Sequence, residues 1–168
     1  MTEALATPGA APAIAWRRPV ADEAAVTRLA AAFAQAVTPP LVLFLRGDLG
    51  AGKTTFARAY IHALGFAGYV KSPSYGLLET YRVGGQTVLH LDLYRIEDPE
   101  ELEYLALRDL FDASAVLLVE WPDRGGDRLP AADLVLDFGE SDEIRFIQFT
   151  AASERGRAAA DKALRQIH

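Results

Sequence analysis

The sequence predicts a single α/β domain whose sheet is mixed, parallel and antiparallel, and flanked by helices. Three observations carry this. Leu41 to Leu45 is an unbroken apolar run of strand length, and a run without polar alternation reads as a strand covered on both faces. It leads directly into the glycines of "GDLGAGKTT", after which Phe56, Tyr60, Ile61 and Leu64 line one side of a helix. Further on, two strand-like stretches surround Gly84-Gly85, a pair suited to the positive φ angles of a tight hairpin turn, so part of the sheet is antiparallel.

The remaining elements follow in chain order. Ala13 to Arg18 reads as a first short strand after an Ala/Pro-rich leader. Asp22 is a candidate N-cap for a helix carrying Val26, Leu29, Phe33 and Val37 at helical spacing up to the breaker Pro39-Pro40. The helix after the glycines ends where Gly65 can take the C′ position. Tyr75 to Val83 and Gln86 to Tyr94 are the hairpin strands. "DPEE" at Asp98 to Glu101 supplies an N-cap, a proline at the first helical position and an acid at N3, which predicts a helix turning Leu102 and Leu105 inward. Ala115 to Val119 is a second buried strand, running into "EWPD". Alternating strands are expected at Asp133 to Phe138 and Glu143 to Phe149, and the Ala-rich tail from Ala152 to Ile167 as helix.

Composition narrows the function. The chain has 168 residues, room for one compact domain but not for a second substrate-binding one. Seventeen Lys and Arg stand against 23 Asp and Glu, a formal charge of -6, so no overall attraction to a nucleic-acid backbone is expected. The absence of cysteine excludes disulfides, thiolate metal sites and cysteine nucleophiles. No run approaches the ~18 apolar residues of a membrane span, and the N-terminus makes a poor secretory signal, so a cytoplasmic protein without membrane attachment is expected.

Gly47-Asp48-Leu49-Gly50-Ala51-Gly52-Lys53-Thr54 fits G-x-x-x-x-G-K-[ST] at every fixed position and lies between a strand and a helix, as a phosphate loop (P-loop) must. Glycines let successive backbone N–H groups converge on phosphate oxygens, and the next helix aims its positive N-terminus at them. The expected nucleotide contacts are Asp48, Leu49, Gly50, Ala51, Gly52, Lys53, Thr54 and Thr55, with Lys53 on the β- and γ-phosphates and the Thr54 hydroxyl on Mg²⁺. Hydrolysis also needs an acid for the metal and a polar group for the attacking water. Glu120, closing the strand "AVLLV", is the candidate metal acid. In "LHLDLYR" Leu89, Leu91 and Leu93 take one face, leaving Val88, His90, Asp92 and Tyr94 on the other. Buried polar groups need partners. Asp92 is therefore assigned to water positioning or to the metal's outer shell, with His90 and Arg95 supporting it. Ser74, in "KSPSYG", can offer a hydroxyl to the γ-phosphate side, and Trp121 beside Glu120 can report the nucleotide's state.

These motifs in this order resemble the TsaE family, small bacterial P-loop ATPases needed to make threonylcarbamoyladenosine in tRNA. The resembling pieces are "GDLGAGKTTFAR", "VKSPSYGLLETY", "LHLDLYRI" with "EDPEELEYL", and "LLVEWPDR" followed by "RLPAADLVLDF". The resemblance implies a P-loop NTPase fold, ATP and Mg²⁺ as cofactors, and a slow ATPase that serves the threonylcarbamoyl transferase TsaD and its companion TsaB without itself performing the tRNA chemistry; with the charge of -6, no direct tRNA binding is expected. It makes Lys53 and Thr54 the phosphate and Mg²⁺ residues, Glu120 the second magnesium ligand, and Asp92 and Trp121 residues needed for activity. Catalysis is thus expected of Asp92, Glu120 and Lys53. Ser74 departs from the family's usual Thr. Residues 1–12 read as a flexible leader, 13–150 as the ATPase domain and 151–168 as a C-terminal helical extension. The alternatives are a small-molecule kinase, with "DRGGDR" as a very short lid, and a nucleotide-gated binding module with negligible turnover. No N-K-x-D-type motif suggests guanine recognition.

Overall fold

A computed structural model of the chain describes residues 14–73 and 77–167. Its elements are β1 (Ile14–Pro19), α1 (Glu23–Ala36), β2 (Leu41–Gly47), α2 (Lys53–Ala63), β3 (Leu78–Val83), β4 (Gln86–Asp92), α3 (Leu107–Leu110), β5 (Ala115–Glu120), β6 (Leu134–Ser141), β7 (Ile144–Ala151) and α4 (Glu154–Arg165). The seven strands form one sheet in the order β1-β7-β6-β2-β5-β4-β3. Its middle, β6-β2-β5-β4, is parallel, while β7 and β1 on one side and β3 on the other add antiparallel edges. The predicted mixed α/β sheet is what forms, and the glycine-loop strand β2 lies at its centre.

The apolar run of β2 divides between two cores. Leu41, Leu43 and Leu45 face α1, α2 and α4, whereas Val42 faces the smaller core of Leu102, Leu107 and the leucines of β4. On the larger side Phe33 stacks on Phe149 at 5.2 Å and meets Phe56 at 6.1 Å. These rings join α1, α2 and the antiparallel edge in one packed layer. Asp22 caps α1 as expected, its Oδ1 accepting from the Ala25 N–H at 2.9 Å. The β3–β4 turn places Gly84 and Gly85 at φ of 60° and 77°, the requirement that made the pair legible as a hairpin.

Around Asp98 the chain departs from the expected helix. Asp98 does cap, accepting from the Glu100 N–H at 3.0 Å, but Pro99–Leu105 winds as a 3₁₀ helix before α3. Leu102 and Leu105 are three residues apart, so the tighter winding stacks them on one line toward the core. Ala106, at φ 51°, then breaks the axis.

A buried carboxylate fastens the tail. Asp133 accepts from the Val42 N–H at 2.8 Å and from the Ser153 hydroxyl at 2.6 Å, joining the starts of β2, β6 and α4. Ser153 in turn caps α4 through the Gly156 N–H. Any Cβ on Gly156 would lie 1.8 Å from the Asp133 carbonyl oxygen, so only glycine permits this approach. Ala159, Ala160 and Ala163 then pack α4 into the core beside α1.

Asp133→Ala strands the buried Val42 N–H and removes two hydrogen bonds to a carboxylate. A loss of about 3 kcal/mol in denaturant unfolding is expected. A change below about 0.5 kcal/mol, the range of ordinary surface substitutions, would contradict the anchoring role.

Candidate functional site

Register decides which side chains meet. In the parallel β4–β5 pair Asp92 lies opposite Glu120, and in β2–β5 Leu45 lies opposite Glu120, so both acids end their strands beside the point where β2 enters the glycine loop. Period-2 alternation puts His90, Asp92 and Glu120 on the same face as Val88, Val116 and Leu118, the face covered by α2. All three are buried. Thr54, in the first turn of α2, is thereby carried onto the Glu120 carboxylate.

The loop turns through positions that favour glycine. Gly47 has φ 148°, and a Cβ there would lie 2.7 Å from the Phe138 carbonyl oxygen; Gly52, at φ 112°, opens α2. Beneath the loop Lys53 is 4% exposed, and its ammonium donates to the carbonyls of Gly47 at 2.6 Å and Asp48 at 2.7 Å. Burial pushes this lysine below the ordinary ammonium range, while the charges of Glu120, Asp92 and Asp48 draw it back up. The Trp121 ring lies 4.5 Å from the same ammonium, in cation–π range.

Glu120 is held at both oxygens. The Thr54 hydroxyl donates to Oε1 at 2.7 Å, and His90 Nε2 lies 2.7 Å from Oε2. Trp121 follows at φ 57°, a left-handed residue that bends the chain out of β5 and lays the indole against Tyr94, ring centroids 5.1 Å apart. Tyr94 is tied to Asp92 by its backbone N–H, which donates to Oδ1 at 3.1 Å. Lys53, Thr54, Asp92, Glu120 and Trp121 thus line one cleft of about 250 Å³ with Ser72 at its edge.

Most of the residues singled out in the sequence come together here. Leu49, Gly50, Gly52 and Thr55 also border the cleft; Asp48 and Ala51 do not, and Asp48 contributes its carbonyl to Lys53. His90, expected to support Asp92, contacts Glu120. Arg95 is exposed just past β4. Ser74, with Tyr75 beside it, lies outside the described residues. Arg145 was missed: it reaches back from β7 to donate to the carbonyls of Gly50 at 3.4 Å and Ala51 at 3.1 Å. With Val20, Asp22, Glu23 and Thr55 it lines a second cavity of about 120 Å³ across the loop from the first. No local signal marks it, because only the β6–β7 hairpin brings it there.

Among the described residues no three His, Cys, Asp or Glu side chains form a ready metal cage, and no helix is long and apolar enough to cross a membrane. Thr54 Oγ1 and Glu120 Oε1, 2.7 Å apart, are an oxygen pair of the kind that holds Mg²⁺ when phosphates complete its shell.

A glycine loop running from a central parallel strand into a helix, with carboxylates at the ends of the neighbouring strands, defines an α/β protein whose candidate site lies at that loop. A model of the family described as "Threonylcarbamoyl adenosine biosynthesis protein TsaE" matches residues 20–147, and the chain belongs to the TsaE family. It is 38% identical to the tRNA threonylcarbamoyladenosine biosynthesis protein TsaE of Haemophilus influenzae, over 82% of this chain and 90% of that one. The protein of the same name from Bacillus subtilis is 39% identical over 83% and 87% respectively. Among solved structures, Bacillus subtilis YdiB superposes with a TM-score of 0.75 at 29% identity, covering 94% of this chain and 97% of that one.

The two tryptophans are Trp16 and Trp121. In a Trp16→Phe variant the emission of Trp121 is expected to change on adding Mg²⁺-ATP, because phosphates would draw Lys53 from its carbonyls and from the indole. Unchanged emission at saturating nucleotide would contradict that movement.

Proposed function

We propose that this chain binds and hydrolyses ATP as an accessory protein in forming threonylcarbamoyladenosine in tRNA, acting on a TsaD-type transferase and its TsaB-type companion and not on tRNA directly. The observation carrying the reading is the meeting of Thr54 and Glu120 beside Lys53 at the glycine loop. Family membership and the names of the relatives support the pathway, and the formal charge of -6 favours protein partners over an RNA backbone.

In this reading Lys53 exchanges the Gly47 and Asp48 carbonyls for the β- and γ-phosphates, a stronger charge-assisted contact. Thr54 and Glu120 would hold Mg²⁺, which would supply positive charge against that developing on the phosphate oxygens. Asp92, fixed next to Glu120 by strand register, orients the attacking water.

The kinase alternative is less well supported. Residues Pro122–Arg124 and Gly126–Arg128 form two 3₁₀ turns with Pro122 and Gly125 buried, and a Cβ at Gly125 would press on Leu129 at 2.6 Å. The close approach of Gly125 to Leu129 pins the middle of an otherwise exposed segment, which favours a fixed turn over a lid.

The test is Mg²⁺-dependent ATP hydrolysis by the purified protein, alone and with the TsaB and TsaD proteins of the same organism. Slow turnover that rises with the partners is expected. Thr54→Ala and Glu120→Ala should each lower it about 100-fold, equivalent to ~2.7 kcal/mol of transition-state stabilisation. Asp92→Asn should reduce kcat more than ATP affinity. Full turnover in the Thr54 and Glu120 variants would refute the metal assignment, and indifference to TsaB and TsaD would refute the partner assignment.

A further inference from the structure

His90 occupies a costly position. It lies within β4, opposite Leu118 of β5 and Glu79 of β3, with no solvent exposure. Burying an imidazole costs free energy unless its nitrogens find partners. Nδ1 finds none among the described residues, so the ring's one recorded polar contact is Nε2 with Glu120 Oε2, at 2.7 Å. An apolar side chain would fill this place without leaving a buried nitrogen unpaired. The contact with Glu120 is the feature that packing does not account for.

Glu120 has two competing uses for its carboxylate. Its charge attracts the Lys53 ammonium, which is itself needed at the phosphates. Its other use is to stand beside the Thr54 hydroxyl with Oε1. A carboxylate rotates readily about its terminal torsion, a broad and roughly two-fold well, so nothing in Glu120 itself selects the second arrangement. An N–H donated to Oε2 does select it, because with Oε2 occupied the free direction of Oε1 is toward Thr54.

We propose that His90 is a positioning residue for Glu120: its Nε2–H holds one carboxylate oxygen so that the other is presented beside Thr54 as a magnesium ligand and is kept from pairing with Lys53. The proposal rests on the nucleotide-binding reading above. It assigns His90 to the metal acid and not to Asp92, and it gives the histidine no contact with nucleotide or water.

The experiment is calorimetric titration with the β,γ-imido analogue of ATP, in Mg²⁺ and in EDTA. His90→Leu should weaken affinity in Mg²⁺ about 10- to 100-fold, the range for loss of a ligand's outer partner, and affinity in EDTA much less, since there only the competition of Glu120 for Lys53 is felt. His90→Gln, whose amide N–H reaches about as far as Nε2, should restore most of the loss, whereas the shorter His90→Asn should behave like leucine. In a Glu120→Gln background His90→Leu should have no further effect, since its action passes through that carboxylate. Circular dichroism and thermal unfolding show which variants fold, and the glutamine–asparagine comparison serves if leucine does not. Unchanged Mg²⁺ dependence in a folded His90→Leu, an equal loss in EDTA, or an undiminished effect in the Glu120→Gln background would each overturn the proposal. Wild-type affinity indifferent to Mg²⁺ would instead remove the metal reading itself, and the positioning role with it.

Discussion

The carboxylate of Glu120, buried at the end of β5 and shared between the Thr54 hydroxyl and His90, is the constraint on which the site depends. A buried charge without partners would cost several kcal/mol, so the elements around it are obliged to deliver hydrogen-bond donors. α2 delivers Thr54 from its first turn. β4 delivers His90 two residues before Asp92, on the same face. The glycine loop brings Lys53, whose ammonium balances the two acids from beneath. Displacing any of these elements would leave a buried charged group with too few partners.

The sheet makes this delivery possible. Four central parallel strands align the ends of β2, β4 and β5, and the antiparallel edges serve other needs. β3 covers the outer side of β4, and the β6–β7 hairpin returns Arg145 to the far side of the loop. α4, anchored through Asp133 and Gly156, backs α1 against the core that supports α2. The charge arrangement and the packing arrangement therefore meet in α2, which carries Lys53 and Thr54 on its first turn and Phe56 and Tyr60 into the core. Trp121 sits between these parts, touching Lys53 on one side and Tyr94 on the other.

What was legible in the sequence was whatever depends on neighbours in the chain. The loop motif, the Asp22 cap, the Gly84-Gly85 turn and the alternation of β4 are all local, and each is found where expected. The features that escaped reading depend on residues far apart. Arg145 reaches the loop only through a two-residue hairpin turn at Asp142-Glu143, both at positive φ and without the glycine that usually advertises such a turn. A shared strand face pairs His90 with Asp92 in the sequence, and alternation within one strand does not reveal the bond that His90 makes across to β5. The 3₁₀ winding after Asp98 follows from packing of Leu102 and Leu105, and the capping residues alone suit either helix type.

In the proposed nucleotide site of Lys53, Thr54 and Glu120, loading proceeds by exchange of existing contacts. The most direct measurement is a crystal structure of the protein with Mg²⁺ and the β,γ-imido analogue of ATP. Lys53 Nζ is expected to have moved from the Gly47 and Asp48 carbonyls to phosphate oxygens, with Thr54 and Glu120 both in the magnesium shell and the His90–Glu120 bond kept. A nucleotide bound elsewhere, or in this cleft with Lys53 still on its carbonyls and Glu120 away from the metal, would contradict it.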